Sequence, residues 1–159
     1  MSLDPASLGS PACSLSRKLN ATPEQVFEAW TTPARLAQWW GPHGFTNPVC
    51  EFEARPGGGI RIDMRGPDGV TYPMTGAVED VVPPSSLVFS SVALDDHGRA
   101  MFKIRTLVDI TGEGSHSTVQ VRAYVTEKTS AAASHLSGME AGWTQSLERL
   151  EALLDNSSE

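Results

Sequence analysis

The stretch LSGMEAGWTQSLERLEALL, residues 136–154, decides the fold of this chain. Leu136, Met139, Trp143, Leu147, Leu150 and Leu154 recur at spacings of 3, 4, 4, 3 and 4, one continuous apolar stripe along an α-helix. Glu140, Gln145, Glu148, Arg149 and Glu151 fall beside that stripe. The pattern predicts a long C-terminal helix starting near Ser130. Such a helix must bury its stripe, and the rest of the chain offers one large apolar surface, the inner face of a sheet.

That sheet is legible upstream as period-two alternation. Cys50, Phe52 and Ala54 alternate with Glu51, Glu53 and Arg55, and Ile60, Ile62 and Met64 with Arg61, Asp63 and Arg65. Pro56-Gly57-Gly58-Gly59 between them reads as a hairpin connection, and Gly66-Pro67-Asp68-Gly69 as a second turn. Tyr72, Met74, Gly76 and Val78 share a parity, Pro83-Pro84 breaks the chain, and a strand is expected over Leu87–Leu94. After a turn at Asp95-Asp96-His97-Gly98, Phe102, Ile104, Thr106, Val108 and Ile110 share a face. A polar loop is expected from Gly112 to Ser117, then Val119, Val121, Ala123 and Val125 close the series. At the front, Cys13, Leu15 and Leu19 share one parity, with Arg17 the odd charge among them. Two short helices follow this first strand. Thr22-Pro23-Glu24-Gln25 supplies a cap, a proline at the first helical position and a glutamine three residues after the cap. Thr32-Pro33 repeats the cap-plus-proline device, and Gly41-Pro42 stops the second helix. The class is α+β, about seven strands in an antiparallel meander in the order βααββββββα.

Composition narrows the function. A chain of 159 residues needs one domain, read here as 12–155 after a disordered N-terminal tail over 1–11. The net charge of −7 with no basic patch argues against nucleic acid and anionic lipid surfaces. Neither a membrane span nor a secretion signal is visible, so the expected compartment is the cytoplasm. Cys13 and Cys50 sit in apolar-patterned segments and read as buried free thiols. No nucleophile elbow, phosphate loop or dinucleotide fingerprint occurs, and His43, His97, His116 and His135 are scattered, so no catalytic residue, cofactor or metal is assigned.

Ala29-Trp30-Thr31-Thr32-Pro33, Trp39-Trp40-Gly41-Pro42, Arg55-Pro56-Gly57-Gly58, Pro83-Pro84 with Leu87-Val88-Phe89, and Gly138-Met139-Glu140-Ala141-Gly142-Trp143 span nearly the whole chain. In that order they resemble the SRPBCC superfamily of START-like, helix-grip proteins, and within it the family named for the C-terminal domain of the heat-shock protein 90 ATPase activator. The resemblance implies a seven-stranded sheet curled around the long helix, two short helices closing one end, and an internal cavity. It leaves three functions open: a carrier or sensor of a lipid-like or polyketide-like molecule, a co-chaperone in the stress response, or a cavity enzyme of cyclase or hydrolase type. The partners to consider are a small apolar ligand, a chaperone and a second copy of the chain.

Trp39, Trp40, Met64, Met74, Phe102, Met139 and Trp143 form an aromatic and thioether set of the kind that lines apolar pockets. Each residue alone reads more readily as packed core, since buried large apolar side chains are the norm, and the set as a whole carries the pocket reading. Arg17 is a candidate anchor for a ligand oxygen, or the partner of an acidic residue; His43 is a candidate for the cavity mouth, or a solvated loop side chain. Gly138 and Gly142 each cost a helix about 1 kcal/mol relative to alanine. They leave room either for a ligand or for close helix packing.

Overall fold

The computed structural model describes residues 12–95, 97–128 and 138–157. The tail expected over 1–11 lies outside the described residues, as do Leu136 and the helix start expected near Ser130. The element order is β1 (Cys13–Leu19), α1 (Pro23–Thr31), α2 (Pro33–Trp39), β2 (Thr46–Phe52), β3 (Gly59–Arg65), β4 (Thr71–Val82), β5 (Ser86–Leu94), β6 (Ala100–Glu113), β7 (His116–Lys128) and α3 (Met139–Ser157). All seven strands form one antiparallel sheet in the order β1-β7-β6-β5-β4-β3-β2. Strands β2 to β7 are therefore a meander, and β1 completes the far edge.

The inward parity of each strand is the apolar one found by alternation. Leu19, Phe52, Ile60, Ile62, Val78, Leu87, Phe89, Val108, Ile110, Val119 and Val121 are buried in one cluster with Leu147, Leu150 and Leu154 of α3. Each fully buried leucine of that stripe contributes about 1.5–3 kcal/mol through area removed from water. A second, smaller cluster of Val88, Leu107 and Tyr124 comes from the opposite parity, on the convex face. Register shifts at Val78/Asp80, Ala93/Leu94 and Lys103/Ile104 interrupt the ladders of β4 to β7, and such bulges bend and twist the strands that carry them.

Helix α1 starts as its capping box demands. Thr22 Oγ1 accepts from Gln25 N at 3.3 Å, and Gln25 Oε1 accepts from Thr22 N at 2.9 Å. Thr32 occupies the cap position of α2, but its hydroxyl makes no capping bond; proline alone sets that start. One expectation is corrected. The polar loop from Gly112 to Ser117 is mostly strand, with Gly112 paired to Ser117 and Glu113 to His116, so the turn is Gly114-Ser115. These strand ends project past the core, where no side chain needs to be apolar, so alternation carries no signal there.

Both cysteines are free, Cys13 buried and Cys50 half-buried against the core. Burial disfavours the thiolate and pushes the Cys50 thiol up to about 11; Cys13 is also raised, chiefly by burial and secondarily by Glu140. At pH 8 a thiol at that value is about 0.1% thiolate, against roughly a quarter for an unperturbed cysteine. The native protein is therefore expected to react with a disulfide reagent at pH 8 at least tenfold more slowly than the protein in denaturant. Equal rates would show that neither thiol is protected.

Candidate functional site

Helix α3 packs with its C-terminal half on β1 and α2. Under its first two turns the sheet and helix do not meet, and a cavity of about 280 Å³ lies between them. Its floor comes from Met64 of β3, Met74 of β4, Phe89 and Ser91 of β5, and Ile104 and Thr106 of β6. The helix supplies Met139, Gly142, Trp143 and Ser146 above, and Trp40, Gly41 and Pro42 close the side. The lining side chains are carbon and sulfur apart from three hydroxyls and the indole nitrogens of Trp40 and Trp143.

The four tryptophans form a closed ring of contacts around one end of this space. Ring centroids are 4.7 Å apart for Trp30 and Trp39, 5.9 Å for Trp30 and Trp143, 5.4 Å for Trp40 and Trp143, and 6.1 Å for Trp39 and Trp40. Trp30 and Trp39 are core, and Trp39 Nε1 donates to the Ala29 carbonyl at 2.9 Å. Trp40 and Trp143 present their rings to the cavity.

The side wall is held by polar side chains. A helix leaves its last carbonyls without partners, and those of α2 and the turn after it are met by two side chains. Asn47 Nδ2 donates to Ala37 O and Trp40 O, each at 2.9 Å. The Arg149 guanidinium reaches four carbonyls: Nη1 donates to Trp40, Gly41 and Pro42 at 2.9, 3.0 and 3.1 Å, and Nη2 to Gln38 at 3.0 Å. Ser146 Oγ accepts from Gly41 N at 3.1 Å and donates to Gly142 O at 2.9 Å, while Gln145 Oε1 accepts from His43 N at 3.0 Å. Gly41 cannot be replaced here: its φ is +96°, and a Cβ would stand 2.7 Å from Met64 Sδ.

Of the site residues expected from sequence, Trp40, Met64, Met74, Met139 and Trp143 come together at the cavity. Trp39, Phe102, Arg17 and His43 lie outside its lining. Trp39 is fully buried in the core. Phe102 shares the face of Ile104 and Thr106 but sits nearer the start of β6, past the lining. Arg17 pairs with Glu151 through Nε at 2.9 Å and Nη2 at 2.6 Å, the acidic-partner alternative. His43 is exposed, 3.2 Å from Glu148 Oε1. Sequence reasoning did not single out Phe89, Ser91, Ile104, Thr106, Ser146 or Arg149. Ser91 and Thr106 were detectable as hydroxyls on inward-facing parities.

An apolar cavity between a curled seven-stranded sheet and a C-terminal helix defines a helix-grip protein of the START-like class. The chain belongs to the family described as Activator of Hsp90 ATPase homolog 1-like protein, whose model matches residues 20–155. It is similar to the AHSA1 protein from Silicibacter pomeroyi, with 26% identity and a TM-score of 0.77 over 91% of this chain and 97% of that one. A protein from Arthrobacter aurescens, solved by NMR, shares 23% identity and a TM-score of 0.78 over 90% of this chain and 85% of that one. DynU16, from the dynemicin biosynthetic locus, has the fold at 22% identity and a TM-score of 0.68, over 91% of this chain and 47% of that one. No curated protein matches the chain.

The Arg149 clamp gives a direct test of how the wall is held. Arg149→Met is expected to lose about 2–3 kcal/mol, because it leaves partly buried carbonyls without a charged donor. Arg149→Lys should recover less than half, since an ammonium cannot span four carbonyls as a planar fork does. Glu148→Gln, at an exposed pair, should stay within about 0.5 kcal/mol. Urea denaturation at constant slope measures all three, and an Arg149→Met midpoint equal to the parent's would contradict the clamp.

Proposed function

We propose that the protein binds a small hydrophobic molecule in this cavity, as a carrier or sensor in the cytoplasm. The observation that carries the reading is the lining itself: three methionines, two tryptophans, Phe89 and Ile104 around a partly open space beside a close-packed core. Its volume, about 280 Å³, falls just below the roughly 300–1,000 Å³ usual for small-molecule sites, so it suits a small ligand. Thioethers and aromatic rings adapt to irregular apolar shapes with little loss of contact. Two unpaired cysteines suit a reducing compartment, and no described helix is long and apolar enough to cross a membrane.

Gly142 supports the same reading. Among the described residues, a Cβ at Gly142 would approach Pro42 Cγ, at 3.9 Å, so the missing side chain does not serve a tight helix contact. It leaves space where the cavity is.

Two experiments test the proposal. Native mass spectrometry of protein purified from its own cells should reveal a co-purifying apolar molecule. Equilibrium dialysis with naphthalene should show binding that Gly142→Ala weakens and Gly142→Leu reduces at least tenfold. Both variants should melt at or above the parent temperature, because leaving glycine favours a helix interior by up to about 1 kcal/mol. Variants that hold naphthalene as tightly as the parent would sink the assignment of this cavity.

A further inference from the structure

Four polar residues are buried among the described residues: Ser91, Thr106, Ser117 and Ser146. Three of them line the cavity. Ser117 is spent on the Ala21 carbonyl at 2.6 Å, and Ser146 on the bonds that hold Gly41 and the helix. Ser91 and Thr106 are different. They are 9% and 1% exposed, and among the described residues neither hydroxyl has a hydrogen-bond partner. They occupy neighbouring strands, Phe89 opposite Thr106 and Ser91 opposite Ile104, so the two hydroxyls stand diagonally on the cavity floor. Their oxygens are accessible from the cavity rather than sealed in the core, so they are free to bond an occupant, a capacity that apolar residues of similar shape would lack.

The lining also lacks charge. Among the described residues, no Asp, Glu, Lys, Arg or His lines the cavity. Three ions of α3 are committed elsewhere: Arg149 to the four carbonyls, Glu148 to His43, and Glu151 to Arg17. A carboxylate or ammonium entering this space would lose part of its water and find only neutral dipoles, which disfavours the charged form.

We infer that the cavity takes a neutral ligand with an apolar body of about nine or ten heavy atoms and a hydroxyl or carbonyl oxygen that hydrogen-bonds to Ser91 and Thr106, and that it rejects free carboxylates such as fatty acids. The size follows from about 280 Å³ of space and the roughly 30 Å³ that a water molecule occupies in the liquid. Each hydroxyl both donates and accepts, so alcohols and ketones are equally suited. This deepens the proposed function and rests on it.

Three probes of one shape separate the terms: naphthalene, 2-naphthol and 2-naphthoate, measured by equilibrium dialysis at pH 7 with the parent, Ser91→Ala, Thr106→Val and the double variant. The parent should bind 2-naphthol at least threefold tighter than naphthalene, and 2-naphthoate at least tenfold more weakly than 2-naphthol. The double variant should erase the advantage of 2-naphthol over naphthalene while keeping naphthalene affinity. Thr106→Val should melt at or above the parent temperature, because it removes an unpartnered hydroxyl at constant shape. A lower melting temperature would mean that the hydroxyl is bonded within the fold and would overturn the inference. So would preferred binding of 2-naphthoate, or a double variant that still favours 2-naphthol. Failure of all three probes to bind the parent would instead remove the cavity reading beneath it.

Discussion

Leu147, Leu150 and Leu154 have one place to go, the concave face of the sheet, and the architecture follows from putting them there. They are fully buried together with residues from β1 through β7 and from both short helices. A 19-residue helix with only one apolar face gains most of its stability from such packing rather than from intrinsic propensity. The same burial fixes where α3 runs, and hence which side chains reach α2 and which are left over the strands at its N-terminal end.

The cavity arises at that N-terminal end. There the stripe changes from leucines to Trp143, Gly142 and Met139, which are only partly buried. The polar side chains beside the stripe then keep the gap from closing differently: Gln145, Ser146, Glu148 and Arg149 all engage the segment from Gln38 to His43. Arg149 is the strongest of these contacts, because a planar, permanently charged fork meets carbonyls at the end of a helix, where the backbone dipoles favour a cation. The Arg105 to Glu79 and Arg122 to Asp109 pairs are partly exposed, and pairs of that kind contribute little.

Element order, strand parities and the helix stripe were legible because each rests on burial, and burial imposes a period that a sequence displays. The capping box at Thr22 was legible for a similar local reason. The cavity wall was only half legible. Trp40, Trp143 and the three methionines announce themselves by size and type, whereas Trp39 differs from Trp40 only by one position on a short helix, and that position turns it into the core. Phe102 has the same parity as Ile104 and Thr106, and alternation alone does not tell how far along a strand a cavity reaches. Arg149 could not be distinguished from its polar neighbours, since its task depends on carbonyls more than a hundred residues away in sequence. Its role appears only once α2 and α3 are placed side by side.

Two-dimensional NMR of the indole N–H groups during titration with 2-naphthol tests the central claim most directly, because the chain has four tryptophans and only two of them face the cavity. Saturable shifts should be largest for Trp40 and Trp143, with Trp39, whose indole N–H is bonded to Ala29 O, moving least. No saturable shift at any indole, or shifts confined to backbone amides on the convex face around Arg105 and Tyr124, would contradict a ligand site beneath the helix.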